Sequence, residues 1–165
     1  MSPPPVAETE AQRLKERIYS TITMLAVVVG LTEWDDLTYA DTLAVIVATA
    51  LGLWLASIVA DAQAHRAVHA RRARRHELRR MMYVSSPLLL SAVGPLVMTG
   101  LSALGVFDLD DALLLAAGVE TASLFAWGYI GGRRVGGNPL VALVAGGLDM
   151  AIGLFVATVK LAAGH

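Results

Sequence analysis

Two carboxylates lie deep inside long apolar segments of the sequence. Glu120 is eight residues into the apolar segment 112–130, and Asp149 is ten residues into the segment 139–160. Two antiparallel spans joined by a short turn would place both acids near the bilayer midplane, within reach of each other. An ionised carboxylate at that depth costs at least about 2.5–3.5 kcal/mol, so it must face the bundle interior, be protonated or have a partner. The pair is therefore predicted to share a proton or to hold a cation as an ion-binding or proton-carrying site.

Other polar and sulfur-containing side chains in these segments could supply further ligands to the same cation. An alternative is that each acid is protonated and hydrogen-bonds a neighbouring helix, which is a structural role. The candidate supporting residues are Met98, Thr99, Thr121, Ser123 and Met150.

A second candidate site lies between the second and third apolar segments. Asp61, His65 and His69 recur at i, i+4 and i+8 and so share one face of a helix, and two histidines at i, i+4 can chelate a divalent metal. The arginines of the same stretch oppose a resident cation. We expect them instead to contact anionic lipid headgroups, at about 1 kcal/mol per basic residue near the surface. These arginines are Arg66, Arg71, Arg72, Arg74, Arg75, Arg79 and Arg80.

Five apolar segments must position these residues. Of the 165 residues, 56% are hydrophobic and 16% are charged, whereas a soluble domain is about 45–50% apolar with about a quarter charged. A spanning helix needs about 20 mostly apolar residues. We therefore predict an all-α polytopic membrane protein, a bundle of five transmembrane helices in the cell membrane. The predicted spans are 18–33, 42–60, 81–107, 112–130 and 139–160.

Charge is segregated along the chain. Every Lys and Arg but one falls in the clusters 13–17, 66–80 and 133–134, and the loops at 33–41 and 108–111 carry only acidic charge. Because cytoplasmic loops of membrane proteins are enriched in Lys and Arg, this alternation predicts a cytoplasmic N-terminus and an external C-terminus.

The same pattern divides the chain into parts. Residues 1–12 are predicted to be a disordered cytoplasmic tail, and residues 13–165 to be a single membrane domain. A basic helical cytoplasmic arm is predicted over 61–80, because this stretch lacks Gly and Pro and is rich in the helix formers Ala and Arg. Pro87 and Pro95 lie inside the third span, which is long enough to tilt or kink.

The second apolar segment carries a small residue at every fourth position, namely Ala44, Ala48, Gly52, Ala56 and Ala60. Small residues at this spacing form a smooth ridge that another helix can approach closely. The ridge is predicted either to pack within the bundle or to form the seam of a homodimer.

Several classes of function are disfavoured. The chain has no Cys, which excludes disulfides and thiolate chemistry. The predicted spans contain no His and the chain offers no nucleophile–base pair, so we expect no enzymatic activity. The lipid bilayer is the expected partner, and no nucleic acid is expected. The alternative to an ion transporter is a non-transporting membrane subunit or scaffold, which binds a partner protein or anionic lipid through its basic arm.

The layout of five spans with a charged arm between the second and third resembles the vacuolar iron transporter family. Similar local features are the start of the first span at 16–23, the small residues running into the arm over 52–63, and the glycine-punctuated turn at 131–138. The resemblance implies a dimer that exchanges divalent iron or manganese for protons, with a transported divalent cation and no certain cofactor. The acidic residue of that family's first span has no counterpart between 18 and 32, so no iron-site residue is carried over.

Overall fold

The computed structural model describes residues 5–136 and 138–163, which form six helices and contain no strand. The all-α prediction is therefore confirmed for this part of the chain. The helices are α1 (Pro5–Leu31), α2 (Tyr39–His69), α3 (Arg75–Leu90), α4 (Val93–Ala103), α5 (Leu109–Gly136) and α6 (Pro139–Ala163).

Helix α1 is the centre of the bundle and packs against α2, α3, α5 and α6. Its buried residues Met24, Val28 and Leu31 follow at intervals of three or four, which places them on one face. They contribute to a core shared with α2, α5 and the α3–α4 connection. The buried members of this core are Met24, Val28, Leu31, Ile46, Ala50, Ala92, Leu113 and Ala116.

The N-terminal part of α1 corrects one expectation. Residues 5–12 lie in this helix, whereas the sequence predicted a disordered tail over 1–12, of which 1–4 lie outside the described residues. Pro5 is compatible with a first helical turn, and the following residues are anchored by contacts with other helices. Glu10 pairs with Arg134 at 3.1 Å, and Thr9 accepts a hydrogen bond from Arg80 at 3.1 Å.

The basic arm is helical at both ends but not throughout. Helix α2 continues to His69 and ends at Ala70, whose φ of 51° places it in the left-handed region. Helix α3 begins at Arg75. The arm is therefore a helical hairpin, because a left-handed residue terminates an α-helix.

The third predicted span is broken into α3 and α4, which meet at an angle of 40°. The break lies at Ser91 and Ala92, between Pro87 and Pro95. Proline lacks an N–H group and so removes a helical hydrogen bond. The predicted kink is thus confirmed, and it lies between the two prolines.

Helices α5 and α6 approach closely through small residues. A Cβ on Gly128 would lie 2.8 Å from Gly146 Cα, and one on Gly132 would lie 2.6 Å from Ala142 Cα. Only glycine permits this approach of two backbones, so the small residues here serve packing within the chain.

Within residues 5–136 and 138–163, three helices are long and apolar enough to cross a membrane, namely α2, α5 and α6. Helices α3 and α4 would make a fourth if counted as one bent span. Helix α1 does not meet this criterion in the described chain. Its apolar part is only 18–31, shorter than the about 20 residues of a span. The length and composition of these helices are thus compatible with a membrane protein.

The two kinds of charged segment lie at opposite ends of the bundle. Residues of all three basic clusters surround shared cavities at one end, here called the basic end. At the other, acidic end, Lys160 Cε lies 3.8 Å from the Cβ position of Gly30, beside Glu33 and Trp34. The alternation in sequence thus becomes a separation in space.

Candidate functional site

Glu120 is a buried carboxylate between α5 and α4. Its side chain and backbone are together 4% exposed, and a Cβ on Gly94 would lie 3.3 Å from its Oε1 atom. The glycine thus leaves room for the carboxyl group. Within residues 5–136 and 138–163, no side chain or backbone group is a hydrogen-bond or ion-pair partner of Glu120.

The helix break lies directly before the turn that faces Glu120. Pro95 cannot donate a helical hydrogen bond to the Ser91 carbonyl, which is four residues before it. Ala92 N–H instead bonds to the Leu89 carbonyl at 3.3 Å, a shorter-range bond than that of an α-helix. The site therefore places a carboxyl group beside Gly94, two residues after an interrupted backbone. The carboxyl group can accept a proton or supply oxygen ligands to a cation.

Asp149 lies beside α5 at a different level from Glu120. Its Oδ2 atom would lie 2.5 Å from a Cβ on Gly128, and its side chain is partly exposed. Gly128 follows Glu120 by eight residues, about 12 Å along the helix at 1.5 Å per residue. The expectation that the two acids lie within reach of each other is therefore wrong: Asp149 is near the basic end of α5, whereas Glu120 faces α4.

Within the described residues, the predicted supporting residues form no hydrogen bond with either acid. Thr99 is buried at 1% exposure, and Met98 packs against the central core. The Thr121 hydroxyl donates to the Ala117 carbonyl at 2.8 Å. Ser123 and Met150 are half-buried. In the part of the chain described, none of these residues forms a hydrogen bond with Glu120.

The histidine face of the arm lines a cavity of about 570 Å³ at the basic end. Asp61, His65 and His69 lie on its α2 wall, as the helical spacing predicted. Helices α1 and α3 add Glu16 and Glu77. Burial raises the pKa of the Glu16 carboxyl, and the neighbouring Lys15 opposes this shift.

The two histidines stack and do not converge on a common point. The ring centroids of His65 and His69 are 4.3 Å apart with 19° between the planes. His65 Nε2 lies 3.5 Å from Glu77 Oε2 without hydrogen-bond geometry. Among the described residues no three His, Asp or Glu side chains are arranged to hold a metal ion. Binding of a metal by Asp61, His65 and His69 stays a prediction.

The arm arginines are exposed, and Glu77 organises the turn of the hairpin. Its carboxylate accepts two hydrogen bonds from Arg71, at 2.6 and 2.9 Å, and one from the Arg74 backbone at 2.6 Å. These bonds hold the pKa of Glu77 well below its usual range. The side chains predicted to contact lipid headgroups all lie on the surface, namely Arg66, Arg71, Arg72, Arg74, Arg75, Arg79 and Arg80.

Sequence reasoning missed helix α4 and its residue Gly94 as neighbours of Glu120. They are distant from it in the chain, and only the packing of α4 on α5 brings them together. One signal was available, because a Gly/Pro-interrupted apolar segment is a general pointer to a binding site in transporters, and Gly94 and Pro95 form such an interruption.

Comparisons of the chain with protein-family models, with curated proteins and with solved structures found no match. The resemblance to the vacuolar iron transporter family therefore rests on the sequence features alone.

Proposed function

We propose that this is a multi-pass protein of the cell membrane that transports a proton or a divalent cation, with Glu120 as the group that binds it. In this proposal α1 completes a bundle of five spans, with the basic end in the cytoplasm. Helix α1 can cross despite its short apolar segment because its neighbours shield it from lipid, and Arg17 can reach the interface along its apolar stem.

The observation that carries the proposal is the isolation of Glu120. A carboxylate at membrane depth is expensive to charge, so such residues face a bundle interior and commonly mark ion paths or proton relays. Glu120 has no protein partner among the described residues, and its carboxyl group lies beside Gly94, two residues after the break in the chain at Ser91 and Ala92. Transporters commonly bind substrate and coupling ions beside broken helices near the midplane.

The test is uptake of Mn²⁺ or Fe²⁺ into proteoliposomes under an imposed pH gradient, with pH inside the vesicles recorded in parallel. We expect wild-type flux above that of protein-free vesicles. Glu120→Gln should reduce it at least tenfold, because an amide neither binds a proton nor balances a cation. Glu8→Gln makes the same chemical change at an exposed position of α1 and should leave flux unchanged.

Asp149→Asn tests whether Asp149 belongs to the same ion-binding site as Glu120. Since Asp149 lies about 12 Å from the level of Glu120, its loss should leave more flux than the loss of Glu120. Wild-type protein that is monodisperse and helical yet moves neither protons nor metal would contradict the transport proposal. Equal flux in wild type and Glu120→Gln would remove Glu120 from the path.

A non-transporting membrane subunit or scaffold is the second candidate. It is favoured by the surface position of both features that it would use, the arm arginines and the ridge of α2. Stoichiometric capture of a partner protein that is lost when Arg72 and Arg75 are replaced by Gln, together with absent flux, would support this alternative.

A further inference from the structure

Four arginines from three separate segments converge on one cavity at the basic end. The cavity has a volume of about 540 Å³ and lies between the basic ends of α1, α3 and α5. Its only acidic lining residue among those described is Glu10, which pairs with Arg134 at 3.1 Å. The arginines are Arg13, Arg17, Arg80 and Arg134.

Two of these guanidinium groups lie over aromatic rings and pair with no carboxylate in the described part of the chain. Arg13 lies 3.9 Å from the centroid of Tyr83, and Arg17 lies 4.3 Å from that of Trp127. Stacking uses the face of a guanidinium group and leaves its N–H edge free to donate hydrogen bonds. The rings therefore orient the two arginines without using their donors.

One buried donor in the cavity has no acceptor among residues 5–136 and 138–163. Arg13 Nη1 is buried and makes no hydrogen bond within the described chain, although buried donors are almost always satisfied. Burial and the positive charge of Arg13 lower the pKa of the Arg17 guanidinium, as expected for like charges held close together. Both observations indicate a place where an anion with several acceptor oxygens would be stabilised.

We propose that this cavity binds a phosphate group, and that at this position the phosphate belongs to the headgroup of an anionic phospholipid. Phosphate oxygens match the donor fork of arginine. A cavity of this volume exceeds what a bare phosphate needs and accommodates a ligand of small-molecule size. Leu14 and Ile130 form an apolar part of the wall, which suits the glycerol and upper acyl region of a lipid better than a soluble phosphate ester.

The site differs from the arm surface that the sequence predicted for lipid contact. Only Arg80 is common to both, and Arg80 already donates to Thr9 Oγ1 at 3.1 Å. Arm arginines on an open surface give attraction that depends on charge alone. A cavity with oriented donors predicts binding that depends on which arginines are present.

Binding is measured on the full chain in a non-ionic detergent. Trp34→Phe with Trp54→Phe leaves Trp127 as the sole tryptophan, so its emission reports on the cavity as lipid is added. Phosphatidylglycerol should shift this emission with saturation, and phosphatidylcholine should do so at least tenfold more weakly. Native mass spectrometry of wild type counts the bound lipids independently.

Two double variants distinguish lipid binding in the cavity from general attraction to positive charge. Arg13→Gln with Arg17→Gln should weaken phosphatidylglycerol binding at least tenfold. Arg72→Gln with Arg75→Gln removes the same charge from the exposed arm, which in a non-ionic detergent faces no anionic membrane surface, and should weaken binding by a smaller factor. Equal losses in the two pairs would overturn the proposal, as would unchanged binding in the cavity pair.

Glu10→Gln provides a test in the opposite direction and does not require removal of an arginine. It deletes the acid that competes for Arg134, so phosphatidylglycerol should bind more tightly. Weaker or unchanged binding would count against the cavity as an anion site. Glycerol 3-phosphate that binds as tightly as phosphatidylglycerol would overturn the assignment to a lipid and identify a soluble phosphate ester as the ligand.

Discussion

At the residue scale, Glu120 and Asp149 carry the same chemical group on neighbouring helices but have different surroundings. Glu120 is buried against Gly94 on α4, and Asp149 lies beside Gly128 where α5 meets α6. The sequence located both acids, because a charge in an apolar segment is conspicuous. Their separation depends on how each helix is rotated and how far it is shifted along its neighbour. The position of an acid in the sequence specifies neither.

Gly128→Ala should destabilise the fold. Its Cβ would lie 2.8 Å from Gly146 Cα and 2.9 Å from the Ala145 carbonyl oxygen, and neither backbone atom can move away freely. Overpacking of this kind costs about 1–3 kcal/mol and exceeds the gain of about 1 kcal/mol that alanine brings to a helix. We expect a lower midpoint of thermal unfolding in detergent, followed by circular dichroism.

Gly147→Ala is the matched control for this substitution. It makes the same change on α6 at a position where a Cβ would meet nothing within 4 Å. Its unfolding midpoint should be unchanged or slightly raised. A similar fall in both variants would show that loss of glycine flexibility, and not the contact of α5 with α6, sets the effect.

At the element scale, local sequence explains the break between α3 and α4. Pro87 and Pro95 each remove a donor from the helix, and the chain reorganises at Ser91 and Ala92 between them. Proline chemistry is local, so the sequence could predict a kink in this span. Which side of α4 faces Glu120 after this break is determined by the packing of α4 on α5.

The ridge of small residues on α2 remains uncovered within the described chain. All its members are exposed, namely Ala44, Ala48, Gly52, Ala56 and Ala60. A Cβ on Gly52 would meet nothing within 4 Å. Packing of this ridge inside the bundle is therefore wrong for the single chain, and the homodimer seam stays a prediction.

Cysteine cross-linking tests that seam in a chain without native Cys. Ala48→Cys and Ala56→Cys should each form a disulfide-linked dimer in membranes, because ridges at a helix crossing approach closely. Leu154→Cys lies on an exposed face of α6 and should remain monomeric. Cross-linking of all three to a similar extent would indicate random collision and contradict a specific seam.

At the scale of the whole molecule, the three basic clusters form one end of the bundle. Arg80 of the arm reaches Thr9 of α1, and Arg134 of α5 reaches Glu10. This convergence builds the cavity proposed to bind a phospholipid phosphate. Positive segments are retained on the cytoplasmic side of membranes, so the basic end is expected to face the cytoplasm.

Labelling of single cysteines tests the orientation. Asp35→Cys lies in the loop at the acidic end and Glu8→Cys in α1 at the basic end, and both positions are exposed. A membrane-impermeant maleimide should label Asp35→Cys on intact cells and Glu8→Cys only after lysis. The reverse pattern would contradict the predicted orientation, and labelling of both on intact cells would contradict a single orientation.

The sequence by itself determined the helical class, the apolar segments, the capacity of the third segment to tilt or kink, and the grouping of charge into alternating loops. These features follow from composition and periodicity over short distances. The tertiary structure alone decided that 5–12 extend α1, that α1 is central and that Glu120 faces Gly94 and not Asp149. It also decided that the ridge of α2 points outward. Each of these depends on how helices rotate and slide against one another, and that choice is made by many contacts between residues far apart in the chain.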